Sequence, residues 1–474
     1  MIALTLAELA RIVGGEVIDA EADLLVTGAA FLDSRTPEAD GLFVAFDGEH
    51  ADGHDYAPAA IEGGAAAVLG TRPTGVPTVL VQDARAALQE LARRALALLR
   101  QRGDGLQVVA VTGSQGKTTV KDMLARVLAD AGSTVATAGS FNNELGLPLT
   151  VLRATSETRY LVLEMGARGV GHLAELCAIA PPDVSLVLNV GKAHIGEFGS
   201  QEQIAVAKGE LVEALTPTGG AVLNLDDPLV AAMAARTDAH AWTFGRSPAA
   251  DVRLEDIEMD DLGRASFVLV HDHHREQVSL RLLGEHQALN AAATAAAALA
   301  AGLALEDVAI SLRAVERLSP WRMELHERRD GLVVVNDAYN ANPDSMRAAL
   351  ETLARMGGSG RRTVAVLGEM RELGADSEAE HREVGRLADQ LGIDVVLVVG
   401  PGARGVHAVL VELRGDDHRT RQVDTTTHAG DWLRENVAGP DVVLVKASRG
   451  GRLERVADML MAEPARRDGE ESVR

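Results

Sequence analysis

The chain of 474 residues is 47% apolar, enough for about three domains of ordinary size, each with its own core. Only 3% is aromatic, so those cores must be built from Ala, Val and Leu. A net charge of −23 excludes a general nucleic-acid binder, while the single cysteine, Cys177, excludes an internal disulfide and suits a reducing cytoplasm.

The opening stretch, MIALTLAELARIVGG, lacks a basic start and carries Glu8 and Arg11 among its apolar residues, so it does not read as a signal peptide. A first unit, 1–103, alternates strand-like runs (GLFVAF, AAAVLG, TVLVQD) with Ala-rich helical stretches before RQRGDG closes it. In a second unit, 104–317, the runs VVAVTG, TVATAG, YLVLEMG, VSLVLNVG and GAVLNLDD are each followed by a helical period. Apolar strands separated by helices imply a parallel sheet covered on both faces.

The first of these runs leads into TGSQGKTT at 112–119. A strict P-loop would have glycine at position 111, where Val111 stands, so this loop is shorter than usual. The flanks still fit a phosphate cradle. Val108–Val111 form a β-branched run, while Val120, Met123, Leu124, Val127 and Leu128 recur at helical spacing. A helix N-terminus offers unpaired N–H groups and a positive dipole end to an anion. Gly113 and Gly116 let the backbone approach phosphate, with Ser114, Gln115 and Thr119 completing the loop. Lys117, expected at an exposed loop end, supplies a point charge, and the Thr118 hydroxyl is placed to ligate Mg²⁺.

Two later strands of this unit also end in chemistry, at Glu164 and just before His194. Either residue alone could be an ordinary loop side chain; together at one sheet edge they read as ligands for a divalent cation. Cys177, within LAELCAIA, reads as a small buried hydrophobe, and Lys208, within AVAKGEL, as an exposed helical lysine. HDHH at 271–274 lies between alternating strands and reads as a solvated hairpin tip, not a metal site. The uncharged stretch 287–305 is mostly alanine with Asn290 inside it. It reads as a buried helix, leaving no expected membrane insertion.

A third unit, 318–474, takes LVVVND, RTVAVLG, DVVLVVG and DVVLVKAS as strands of another open α/β sheet. Asp337, Tyr339, Asn340 and Asn342 lie past the end of the first, where Asn-Pro is expected to start a turn. Lys446 and Arg449 end the last. Two polar sheet edges facing each other would make a cleft that closes over a nucleotide.

These stretches resemble the Mur ligases of bacterial cell-wall synthesis. The likeness runs in order through TGSQGKTTVKDM, FNNELGLPLTVL, EMGARGVGHL, NVGKAHIGEFGSQEQIAVAKGEL, GEHQALNAAATAA, NDAYNANPDSM, LGEMRELG and VKASRGGRLE. It implies three α/β domains: a small UDP-binding unit, a central P-loop domain with a parallel sheet, and a Rossmann-like C-terminal domain. The implied activity is ATP-driven amide formation through an acyl phosphate, with UDP-N-acetylmuramoyl-tripeptide and D-alanyl-D-alanine as substrates. NDAYNANPDS favours the dipeptide amine. The Asp-Asn-Pro-Arg motif of the tripeptide synthetase is missing, and that enzyme or a folylpolyglutamate synthase-like ligase is the alternative. By the same resemblance Lys117, His194 and Lys208 are catalytic, and Mg²⁺ is held by Thr118, Glu164, His194 and a carbamylated Lys208. Asn290, Arg322 and Asp337 would hold the nucleotide and Asn143 would help at the adenine. Ser34 and Arg35 would meet the uridine diphosphate, and Asn340 and Asn342 the substrate. A cytoplasmic monomer is expected. SQGK departs from the family's frequent Asn before the glycine, which leaves the loop fold unthreatened.

Overall fold

The computed structural model describes residues 1–48, 51–101, 105–191, 198–316, 319–358, 360–415 and 418–462. Its architecture is three α/β units in chain order. The first holds a five-stranded sheet ordered Glu16–Ile18, Thr78–Leu80, Ala67–Gly70, Leu42–Val44, Ala30–Phe31, parallel except at its first strand. Glu8, which argued against a leader, closes a capping box with Thr5 at the start of the helix Leu6–Val13. The helix Ala84–Gln101 buries Leu88, Leu91, Ala92, Ala95 and Leu96 in a core that continues into the middle unit through Leu161, Leu163 and Leu211. The first unit is therefore seated on the second by shared apolar burial, and Arg100 adds an ion pair to Asp183.

The middle sheet has nine strands, in the order His274–Leu283, Arg264–His271, Val252–Met259, His240–Gly245, Gly220–Asn224, Val184–Val187, Gln107–Thr112, Tyr160–Glu164, Thr134–Ala136. Pairing is parallel from Val252–Met259 to Thr134–Ala136, and the hairpin adds the two antiparallel strands. The hairpin turns at His271 and His274, as the alternation predicts, and no cluster of metal-ligating side chains occurs among the described residues. The helix Lys117–Ala131 buries Val120, Met123, Leu124, Val127 and Leu128 at the expected spacing. It packs beside His286–Ala300, whose alanines let the two helices and the sheet approach closely. No helix among the described residues is long and apolar enough to cross a membrane.

The third unit is a six-stranded sheet ordered Glu324–Glu327, Val333–Asp337, Val442–Lys446, Thr363–Leu367, Val395–Val399, Thr420–Val423. Only its first strand is antiparallel, and apolar clusters cover both faces. Asn342-Pro343 opens a helix here, Pro343–Gly357, where the sequence suggested a turn. Asn342 is its N-cap and Pro343 its first residue, where a missing N–H costs nothing.

Candidate active site

The P-loop strand Gln107–Thr112 lies between Val184–Val187 and Tyr160–Glu164, with Glu164 opposite Val111 and Val187 opposite Thr112. That register delivers the chemistry of three strands to one edge. Gly116 takes φ +79° immediately before the helix Lys117–Ala131. A Cβ there would sit 2.8 Å from Asn290 Oδ1, so Asn290 closes directly onto the loop. Gly116→Ala should therefore cost about 1–2 kcal/mol in backbone strain alone, displace Asn290, and weaken the nucleotide binding that the loop sequence predicts. Thermal melts with and without ATP would check this, and an unchanged ATP-induced shift would refute it.

Asn189 holds the loop shape. Its carbonyl accepts from Ser114 N (3.1 Å), its Oδ1 accepts from Gln115 N (2.9 Å), and its Nδ2 donates to Gln115 O (3.3 Å). The sequence offered no sign of that role beyond an Asn at a strand end. Lys117, expected at an exposed loop end, is instead half-buried and folds back to donate to Gly113 O at 2.7 Å. Burial lowers its pKa; the Arg322 charge acts in the same direction, and Glu164 opposes both.

Thr118 Oγ1 donates to Glu164 Oε2 at 2.7 Å, and Glu164 Oε1 accepts from Asn142 Nδ2 at 2.7 Å. Glu164 is 1% exposed. Asn142, not singled out in the sequence, thus orients this carboxylate, because the adjacent asparagines of FNNE cannot be told apart by spacing. Asn143 turns its Oδ1 to the amides of Leu145 and Gly146 at the next helix start. Lys208 is buried, 5% exposed, against the expectation of an exposed lysine: the helix Gln201–Glu213 packs against the central strands Val184–Val187 and Gln107–Thr112 and the helix His172–Ile179. Desolvation drives its pKa well below the ordinary lysine value, and the nearby Lys117 charge adds to the effect. His194 lies outside the described residues.

From the third unit, Arg322 reaches across to donate from Nη2 to Thr118 Oγ1 at 2.9 Å. Its Nε has no hydrogen-bond partner among the described residues, and its guanidinium stacks over Tyr339 at 4.1 Å. Tyr339 meets Ser140, and Gln115 Nε2 donates to Asp344 Oδ2 at 2.7 Å, so the two polar edges do face each other. Asp337 accepts from Lys446 Nζ at 2.5 Å and from Met323 N at 3.1 Å. Lys446 also donates to Asn340 O at 3.0 Å. His286, which the sequence reading passed over, joins this group. Desolvation lowers its pKa, and it feels the charges of Asp337 and Lys446. The Asn342 side chain is committed to the Ser345 amide.

Ser34 and Arg35 stay apart from this cluster, in the first unit, where exposed Arg35 pairs with Asp33. Cys177 is buried as expected; desolvation and the Glu210 charge push its thiol up to about 12. A separate open crevice of about 700 Å³ lies at the strand ends of the third sheet, lined in part by Glu369, Arg371, Asp424, Arg452 and Arg455.

Comparison with known proteins gives a consistent result. The Mur ligase middle domain matches residues 111–298, the Mur ligase glutamate ligase domain 321–449, and the Mur ligase family catalytic domain 31–96. The UDP-N-acetylmuramoyl-tripeptide--D-alanyl-D-alanine ligase of Mycobacterium tuberculosis is 45% identical over 98% of each chain. The ligase of that name from Bacillus subtilis is 35% identical over 98% of this chain and all of its own. Among solved structures, MurF from Acinetobacter baumannii superposes with TM-score 0.84 at 30% identity, covering 97% of this chain and 99% of that one. MurF from Thermotoga maritima in complex with ADP gives 0.78 at 32%, covering 92% and 98%.

Proposed function

The chain belongs to the Mur ligase family, and on that premise we propose that it joins D-alanyl-D-alanine to the terminal carboxylate of UDP-N-acetylmuramoyl-tripeptide at the expense of ATP. The observation that carries this reading is its 45% identity, over 98% of both chains, with a ligase of that name. The cross-domain contact of Arg322 with the P-loop Thr118 supports it, because a ligase must bring nucleotide and acceptor into one closed cleft.

A free carboxylate is a poor acylating agent, so it attacks the γ-phosphate of ATP, the bond to the β-phosphate oxygen breaks, and an acyl phosphate and ADP result. The amine of the dipeptide then adds to that carbonyl, and phosphate leaves. Phosphoryl transfer needs positioning and neutralisation of charge on the equatorial oxygens. The amides of Gly113 to Thr119 and the Lys117 ammonium supply both. Asn290 and Arg322 close on the phosphates, while Asp337, held by Lys446, and Asn143 serve the nucleoside end. The hydroxyl of Thr118 against the buried carboxylate of Glu164 is a set of hard oxygen donors that fits Mg²⁺. When bound, that ion would neutralise phosphate charge. His194 and Lys208 would complete its ligands.

Lys208 is suited to carbamylation. Burial favours its neutral form, and a neutral amine adds CO₂ and loses a proton to give an oxygen ligand. Ser34 and Arg35 hold the uridine diphosphate far from the chemistry. Asn340 and Asn342 shape the acceptor side of the cleft, and the Arg-lined crevice offers charge to the carboxylate of the dipeptide. The enzyme works in the cytoplasm as a monomer.

The test is ADP release coupled to product formation. D-Alanyl-D-alanine should support turnover where free diaminopimelate, lysine or glutamate does not. A tripeptide stripped of its uridine diphosphate should lose turnover as well as affinity, since remote binding positions the reacting carboxylate. Comparable rates with free diaminopimelate and a UDP-muramoyl-dipeptide would move the protein to the preceding ligation.

A further inference from the structure

We infer that Glu210 is a positioning residue that ties the helix of Lys208 to the segment following Glu164, and so holds the two sides of the cation site in register. The inference rests on reading Thr118, Glu164 and Lys208 as that site. Thr118 and Glu164 need no third party, because they bond to each other directly. Lys208 stands on a separate helix, Gln201–Glu213, and a lysine side chain there cannot fix its own backbone.

Glu210 is 7% exposed and sits two residues on, pointing away from Lys208 around the helix. Its Oε1 accepts from Gly171 N at 2.5 Å and its Oε2 from Ala174 N at 3.1 Å. Those amides begin the helix His172–Ile179, reached from Glu164 by the short segment 165–171. Among the described residues, these are the hydrogen bonds that join the Lys208 helix to that segment. The segment is itself anchored at its start, where Met165 N donates to Val111 O and Gly166 N to Asn142 O. The path from Glu164 to Lys208 is thus short and bonded at both ends.

A carboxylate suits the place for a physical reason. The first turn of a helix presents N–H groups without intrahelical partners, and an anion there meets the positive end of the dipole. Both oxygens accept, which a carboxamide cannot reproduce: its NH₂ would face an N–H donor. Another flank of the same helix is held by Arg236, whose Nη1 and Nη2 donate to Ala205 O and Val206 O at 3.1 and 3.0 Å. Gly209 leaves the room, since a Cβ there would lie 1.7 Å from Arg236 Nη1. The helix is therefore clamped on two sides around Lys208.

The experiment is Mn²⁺ binding by electron paramagnetic resonance on the full chain with ADP, alongside ¹³C NMR of a lysine carbamate formed from labelled bicarbonate. Glu210→Gln should weaken Mn²⁺ binding about tenfold and reduce the carbamate signal. Ser200→Ala removes the N-cap of the same helix without touching the tie, and should stay within about twofold of the parent. If Glu210→Gln does not fold, Glu210→Asp keeps the charge on a stem too short to span both amides and should shift Mn²⁺ binding in the same direction. Parent-like Mn²⁺ binding and carbamate in the Glu210 variant would overturn the inference. Equal weakening in Ser200→Ala would do so too, by reducing Glu210 to general helix stability. Lys208→Ala separates the levels: if it binds Mn²⁺ like the parent, the cation-site reading itself falls.

Discussion

Lys117→Ala should lower ADP release at saturating ATP by about 100- to 1,000-fold while the protein still folds. The ammonium stands at the start of the P-loop helix, where negative charge shifts onto the bridging and equatorial oxygens as phosphate transfers. Its own bonds in the resting protein are to loop carbonyls, chiefly Gly113 O at 2.7 Å. A hydrogen bond from a charged donor is worth about 1.5–3 kcal/mol net. Burial also disfavours the charge, as the lowered pKa records, so its removal relieves part of that cost. Catalysis and stability should therefore separate. The pair of measurements is a steady-state ADP assay and a thermal melt. Near-parental turnover would mean that phosphate is not cradled here, whereas loss of folding would mean that the lysine is structural.

Lys208→Ala should be nearly inactive, and a short carboxylate such as acetate should restore part of the rate. The expectation follows from two features that both disfavour an unmodified, charged lysine. The side chain is buried, 5% exposed, and feels the Lys117 charge, and an ammonium there would repel Mg²⁺ at the proposed cation site. A carbamate is negative and supplies oxygen. Acetate, diffusing into the space left by alanine, would supply the same atoms without the tether. Intact mass showing only unmodified lysine in an active, bicarbonate-supplied preparation would count against this account. So would full activity of the alanine variant.

Local sequence determined much of the site. The order of strand, glycine turn and helix around TGSQGKTT was legible because each part depends on contacts between near neighbours: β-branched runs, apolar spacing, and a glycine able to take positive φ. The P-loop residues and Glu164 at a strand end were visible in the same way, and so was the buried alanine helix. The parallel character of the sheets followed from strands apolar on both faces.

Only the tertiary structure decided which neighbours those residues meet. Asn142 and not Asn143 orients Glu164, because the choice depends on a loop approaching from another strand end. Asn189 grips the P-loop, and Arg322 crosses from the third unit to Thr118, over separations that no local pattern records. Lys208 looked exposed because helical spacing tells which residues share a face, not what lies against it. Its helix packs on central strands of the middle sheet, and that packing buries it. Glu210 was silent for the same reason, since its partners are backbone amides of a distant helix that carry no side-chain signature in sequence. Local chemistry is written residue by residue, but burial and long-range pairing belong to the packed chain.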